Sequence, residues 1–278
     1  MKLPFAKYES IGNDFVLVEE KDLAVAGVVD RSKLALAMCD RHFGIGSDGL
    51  LTWAKEGDVV SMRMFNPDGT EDFCGNGLRC AALHTKLGGF GGDELHMRHV
   101  GRDVMVKFAI GGWIDVGLPP PSFDPKDVPL AEGVGEVFER ELTVAGSKLV
   151  LCSLIVGSTH TIAFVEGPPE EKTFQTVSPL LENHEWFPER TSVLWTWPTA
   201  YNQLKVRIWE RGAGETMGCG TGSAAAAACW FRKKGLVAAG VQNPGGDCAV
   251  ALGPGGGLIA SAKAKRTFGG EWLSGAAV

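Results

Sequence analysis

Apolar and polar side chains alternate in short runs along this chain, at residues 15–19, 59–65, 104–109 and 113–117, then at 148–156, 161–165, 205–209 and 258–262. A period of two buries one face of a strand and wets the other, so these runs predict half-buried, mostly antiparallel strands. Helical spacing is rarer and is confined to residues 32–42, 78–87 and 223–234. Two of these helices carry clear stop signals. Lys86 precedes Gly88-Gly89, and Arg232-Lys233-Lys234 precede Gly235. Cations in a last turn complement the helix dipole, and glycine suits a left-handed cap. Five alanines, Ala224 to Ala228, predict a helix with high propensity that packs closely against bulky neighbours.

The elements fall into two sets. Gly117-Leu118-Pro119-Pro120-Pro121 reads as a stiff connector. On either side the chain runs through strands, a Cys-Gly-x-Gly stretch and a helix. The last residues are too few for a core of their own and are expected to return to the first half. The expectation is one domain of residues 1–118 plus 266–278 and a second of residues 119–265. Both would be α+β, similar to each other, and face each other across a cleft. A length of 278 residues suits two domains.

Composition removes several classes of function. The chain is 45% hydrophobic and 22% charged with a net charge of −6, which argues against nucleic acid as a partner. Its longest basic run, Arg232-Lys233-Lys234, is a helix end. The first residues lack an apolar signal core and meet Pro4 early, and no stretch approaches the roughly 18 apolar residues of a membrane helix. Seven cysteines is an odd number, and none forms a Cys-x-x-Cys or zinc-like cluster. Together these point to a cytoplasmic protein with free thiols, no metal and no membrane contact. Cys39, Cys80, Cys152, Cys229 and Cys248 read as small buried hydrophobes.

The remaining two cysteines stand out by context. Cys74-Gly75-Asn76-Gly77 and Cys219-Gly220-Thr221-Gly222 lie 145 residues apart, each ahead of a helix. A helix N-terminus favours the thiolate, and small residues let backbone N–H groups approach an anion. A carboxylate held between two such helix starts would place its neighbouring carbon between two sulfurs. One could remove a proton and the other deliver one to the opposite face, inverting the centre without a cofactor. Read on their own, the two stretches are equally compatible with structural turns. A redox disulfide is a weaker reading, since no Cys-x-x-Cys is present. Gly44-Ile45-Gly46-Ser47-Asp48-Gly49 fits G-x-G-x-x-G, but a helix precedes it and a strand follows, the reverse of a dinucleotide site.

The flanking residues extend the pattern. Gly12-Asn13-Asp14-Phe15, residues 40–49, Phe65-Asn66-Pro67-Asp68-Gly69-Thr70-Glu71, Phe187-Pro188-Glu189-Arg190, residues 209–222 and Pro244-Gly245-Gly246 together resemble the diaminopimelate epimerase family through most of the chain. The resemblance implies two pseudo-symmetric domains, each an α/β roll of sheet wrapped around a central helix, and chemistry without pyridoxal phosphate. It implies Cys74 and Cys219 as the acid/base pair. Backbone N–H groups of Gly75, Asn76, Gly220 and Thr221 would hold the reacting carboxylate of a small amino-acid substrate. It places Asn13 and Asn66 at the substrate, Glu210 on its α-ammonium, Arg211 on a distal carboxylate, and His160 beside the site. Homodimers occur in the family.

Two positions depart from the family pattern. Ser158 and Ser192 stand where asparagines usually contact the distal end of the substrate. A hydroxyl is shorter than an amide and donates once, so recognition of that end is expected to differ while the proton chemistry stays intact. The leading reading is interconversion of LL- and meso-diaminopimelate. A racemase of another amino acid, such as histidine, is the alternative that the serines motivate, and a non-catalytic amino-acid-binding homologue is a third.

Overall fold

The computed structural model describes residues 2–273. The chain divides into two compact units: Met1–Val116 with the chain from Ala262 onward, and Gly117–Ser261.

The first unit is built from β1 (Lys2–Ser10), β2 (Asn13–Glu19), α1 (Glu20–Val25), α2 (Arg31–Cys39), β3 (Gly49–Glu56), β4 (Val59–Phe65), α3 (Gly75–Leu87), β5 (Glu94–His99), β6 (Arg102–Phe108) and β7 (Trp113–Leu118), which leads out of it. The second contains β8 (Arg140–Val144), β9 (Ser147–Val156), β10 (Ser158–Phe164), α4 (Glu171–Glu182), β11 (Ser192–Ala200), β12 (Gln203–Glu210), β13 (Gly214–Thr216), α5 (Gly220–Lys234), β14 (Ala238–Asn243), β15 (Gly246–Leu252) and β16 (Leu258–Lys263). β17 (Lys265–Leu273) then pairs antiparallel with β1.

The two sheets repeat one plan. In the first unit the order is β17-β1-β2-β3-β4-β5-β6-β7, antiparallel except at β2/β3 and β4/β5. In the second it is β8-β9-β10-β11-β12-β14-β15-β16, antiparallel except at β10/β11 and β12/β14. A parallel pair needs a crossover, and helices supply all four. α1 and α2 cross between β2 and β3, α3 between β4 and β5, α4 between β10 and β11, and α5 between β12 and β14.

α3 packs on β1, β2, β3, β4, β5, β6 and β17, and α5 on β9, β10, β11, β14 and β15, so each sheet curls around one helix. The composition of α5 follows from this. Gly220 to Phe231 are all buried, and alanine lets the strands close on the helix from several sides. The class is therefore α+β, with a mostly antiparallel sheet wrapped on a central helix in each half.

Local differences from the periodicity have identifiable causes. The helix expected over residues 32–42 stops at Cys39, because the Asp40 carboxylate accepts from the backbone N–H groups of His42 and Phe43 and turns the chain there. α3 and α5 start three residues before the apolar rhythm does, since the motif glycines form their first turns. α4 was hidden by Pro179 inside it, although Phe174, Val177 and Leu181 lie at helical spacing and pack with Val193 and Trp195. In the dinucleotide-like stretch, Gly46 has φ +80° and a Cβ on Gly44 would strike the Ala37 carbonyl at 2.2 Å, so both glycines serve a tight turn.

Candidate active site

Cys74 is the N-cap of α3, with extended backbone at φ −137° and ψ 105°. Its Sγ accepts the backbone N–H of Gly77 at 3.2 Å, the bond that serine or aspartate usually makes at a cap. The Cys74 N–H itself donates to His99 Nε2 at 2.9 Å. His99, fully buried, lies against Met62 O through Nδ1 at 3.0 Å.

Two predicted substrate residues, Asn13 and Asn76, form a hydrogen-bonded chain that reaches the first turn of α3. Asn13 Nδ2 donates to Asp48 Oδ2 at 2.8 Å, and Asn13 Oδ1 accepts from Asn76 Nδ2 at 3.4 Å. The Asn76 carbonyl in turn takes Nη1 of Arg79, a wholly buried arginine, at 2.7 Å. The amide of Asn13 is thereby oriented from both ends. Asp48 belongs to a cluster in which Arg41 bridges Asp14 and Asp48, and the nearly buried Lys7 pairs with Asp14. Asn66 sits half-buried in the turn after β4 and donates through Nδ2 to Thr70 Oγ1 at 3.0 Å. Beside Gly75 there is open space where a Cβ would stand.

Cys219 repeats the geometry. It caps α5 at φ −132° and ψ 113°, and its Sγ accepts from Gly222 N at 3.3 Å. Its own N–H donates to Asn243 Oδ1 at 3.4 Å. His160 Nε2 lies 3.9 Å from the sulfur and 3.3 Å from Thr221 Oγ1, while Thr221 Oγ1 is 3.5 Å from the sulfur. His160 Nδ1 donates to Ser158 O at 2.9 Å, which leaves Nε2 as the ring's acceptor. Burial, then the charge of Arg211, pushes the His160 pKa down to about 4. Burial, then the Glu210 carboxylate, holds the Cys219 thiol well above its usual range. At neutral pH this is a neutral thiol beside a neutral imidazole.

Glu210 is the last residue of β12, and Arg211 begins the turn that follows. Glu210 Oε1 accepts from Thr216 Oγ1 at 2.6 Å. Arg211 donates through its backbone N to Ser192 Oγ at 3.1 Å and through Nη1 to Glu189 O at 3.2 Å. The nearly buried Glu182 carboxylate brackets this pair by accepting Trp209 Nε1 at 2.7 Å and Gly212 N at 2.9 Å. So Ser158 reaches His160 with its carbonyl, and Ser192 supports the backbone of Arg211.

Sequence reasoning missed His99, Asn243, Arg79 and Glu182. Arg79 follows the first Cys-Gly-x-Gly stretch by two residues, and His99 and Glu182 lie in no pattern of chemistry-bearing residues. Asn243 also had a nearby signal, the Pro244-Gly245 turn that follows it.

A side chain at the second glycine of each stretch would crowd a buried leucine and the cap sulfur. A Cβ on Gly77 would lie 2.8 Å from Leu51 Cδ2 and 3.4 Å from Cys74 Sγ; one on Gly222 would lie 2.9 Å from Leu194 Cδ2 and 3.2 Å from Cys219 Sγ. Gly77→Ala and Gly222→Ala are each expected to destabilise by about 1–2 kcal/mol, overpacking outweighing the helix-propensity gain of alanine. Thermal unfolding checks this, and a variant as stable as the parent would contradict it.

The profile of the diaminopimelate epimerase family matches residues 5–112 and 152–264. The chain belongs to the diaminopimelate epimerase family. A diaminopimelate epimerase of Synechococcus sp. (strain JA-2-3B'a(2-13)) is 36% identical over 264 residues, covering 91% of this chain and 92% of the relative. One from Acaryochloris marina is 33% identical over 286 residues, 99% of this chain and 100% of the relative. Among solved structures, a phenazine biosynthesis protein of the PhzF family from Bacillus anthracis matches with a TM-score of 0.68 at 15% identity, over 99% of this chain and 100% of that one, a likeness of fold. Both Cys-Gly-x-Gly stretches fall inside the segments matched by the diaminopimelate epimerase profile.

Proposed function

We propose that this member of the diaminopimelate epimerase family interconverts LL- and meso-diaminopimelate by moving the α-proton between Cys74 and Cys219. The matched geometry of the two cysteines carries the reading. Each caps the central helix of its unit, and each sulfur receives the N–H of the second motif glycine. Family membership supplies the substrate. Burial and the Glu210 charge keep the proton on Cys219, which casts Cys219 as the resting acid and leaves the role of base in the two-sulfur mechanism to Cys74. Thr221 and His160, both within 4 Å of the Cys219 sulfur, give its proton nearby oxygen and nitrogen partners. First-turn N–H groups of α3 and α5, at Gly75 and Gly220, suit the reacting carboxylate. Glu210 takes the α-ammonium. All seven cysteines are free thiols, which suits a reducing cytoplasm.

The direct test is proton exchange in D2O. Reduced enzyme should wash deuterium into the α-position of LL-diaminopimelate and generate the meso form. Absence of both would overturn the proposal. Ser192, whose hydroxyl is spent on Arg211 N–H rather than offered as an amide, favours the second reading, a racemase of another amino acid. Exchange seen with another amino acid and not with diaminopimelate would select it.

A further inference from the structure

His99 and Asn243 occupy the same place in the two repeated sheets. His99 is the last residue of β5 and Asn243 the last of β14, the strands that follow the two central helices. Each forms the final cross-strand pair before a two-residue turn, His99 with Arg102 and Asn243 with Gly246. Each accepts the backbone N–H of its cysteine, at 2.9 Å for His99 and 3.4 Å for Asn243. The side chains differ, yet the acceptor is aimed at the same atom. In neither half does the helix itself satisfy this N–H, because a cap residue precedes the helical ladder.

Each acceptor is locked from behind. Cys74 N can only donate, so His99 Nε2 must be unprotonated and Nδ1 must carry the hydrogen towards Met62 O at 3.0 Å. The His99 ring also packs on that of Phe73, the residue before Cys74, with centroids 5.0 Å apart. Burial holds the His99 pKa down despite the nearby Glu71 and Asp72 carboxylates, so the acceptor persists at neutral pH. Asn243 Nδ2 points to Val241 O at 3.3 Å, which fixes Oδ1 towards Cys219 N and Ser223 Oγ, the latter at 3.0 Å. Behind Asn243, the Gly245 N–H donates to Met217 O at 2.7 Å, tying the turn to the residues before Cys219.

We propose that His99 and Asn243 are a matched pair of positioning residues, each fixing the backbone of one cap cysteine and so the place of its sulfur. They act through the cysteine backbone. A sulfur is aimed by two torsions, the cysteine φ and χ1. The Gly77 and Gly222 N–H bonds settle the side chain, while the bonds from Cys74 N and Cys219 N settle the backbone. Proton transfer is steep in geometry, and a displacement of about 1 Å can cost on the order of 100-fold. The inference rests on the two cysteines being the acid and base, and extends that reading to what holds them.

The test compares His99→Ala, His99→Gln and Asn243→Ala in the full chain. Glutamine places an amide oxygen at about the reach of imidazole Nε2 and restores the acceptor. Two readouts are used. The first is kcat and KM for α-proton exchange. The second, independent of any substrate, is the pH dependence of iodoacetamide alkylation resolved by peptide mass spectrometry for Cys74 and Cys219 separately. Glu71 and Asp72 face His99, Cys80 faces Cys74, and Glu210, His160 and Thr221 face Cys219; all are kept in every variant. His99→Ala should lower kcat by about 10- to 100-fold with KM within about threefold, and move the alkylation midpoint of Cys74 alone. His99→Gln should recover most of both. Asn243→Ala should move Cys219 alone, with a smaller loss that matches its longer bond. Midpoints of both cysteines shifting together, or glutamine no better than alanine, would make the residues merely structural and overturn the proposal. Should His99→Ala fail to fold, the glutamine variant and Asn243→Ala decide it alone. A correct site-selective alkylation pattern without diaminopimelate turnover would leave this inference standing and sink only the substrate.

Discussion

Replacing either Cys74 or Cys219 by alanine is expected to abolish epimerisation, with kcat down by about 10³-fold or more, within the span of general acid–base catalysis. The proposed mechanism uses both sulfurs in one event, so on it the double variant should be little worse than either single one. The two single variants should nevertheless differ. Cys219 keeps its proton at neutral pH, because burial and the Glu210 carboxylate oppose its thiolate. With the base assigned to Cys74 as proposed, Cys74→Ala removes it, and neither inversion nor deuterium wash-in should remain. Cys219→Ala leaves Cys74 able to remove and return a proton on one face. It should retain wash-in without inversion on the epimer that presents its hydrogen to Cys74. Chiral chromatography coupled to mass spectrometry separates the two outcomes. Full inversion by either variant would rule out the two-sulfur mechanism, and equal loss of wash-in in both would remove the assignment of the resting acid.

The fold class was legible because it rests on features that periodicity reports. Val59–Phe65 was found residue for residue, since one face is core and the other wet. β17 was not, because its residues are nearly all exposed and no alternation exists to read. The sheet order was out of reach for a different reason: pairings such as β1 with β17 join the ends of the sequence, and no local pattern encodes them.

In the site the division is similar. Cys74 and Cys219 were visible as candidates because a cysteine beside glycines at a helix start forms a local pattern. Glu182 was invisible. Its worth lies in Trp209 and Gly212, about thirty positions away, and a lone glutamate in an amphipathic helix looks like solvated surface until the fold buries it. Arg79 is the same case at the other helix, since only the structure shows that it orients Asn76 and, through it, Asn13. The serines show the opposite error of scale. Ser192 was legible as a departure from the family pattern, but its bond to the Arg211 backbone was not.

That bond bears on the second large effect. Arg211→Ala is expected to lower kcat/KM for diaminopimelate by roughly 100- to 1000-fold, the loss that follows when a charged substrate group loses its two-hydrogen-bond partner. The guanidinium stands on a turn built to hold still. Ala213 N donates to Glu210 O at 3.0 Å, Gly212 adopts φ +76°, and Glu182 fastens Gly212 N. Ser192 Oγ holds Arg211 N, and Glu189 O takes one N–H of the guanidinium. A planar fork fixed in this way suits a carboxylate taken through two hydrogen bonds, and Arg211→Lys, which offers a point charge instead, should recover only part of the loss. The effect should depend on the substrate. An amino acid without a distal carboxylate gains nothing from the fork, so its turnover, if any, should be insensitive to Arg211→Ala. Measuring kcat/KM for diaminopimelate and a panel of neutral and basic amino acids with both enzymes gives the answer. A loss confined to diaminopimelate places its distal carboxylate on Arg211. Diaminopimelate turnover unchanged within about threefold would detach Arg211 from the substrate and turn attention to the racemase reading that the serines suggest.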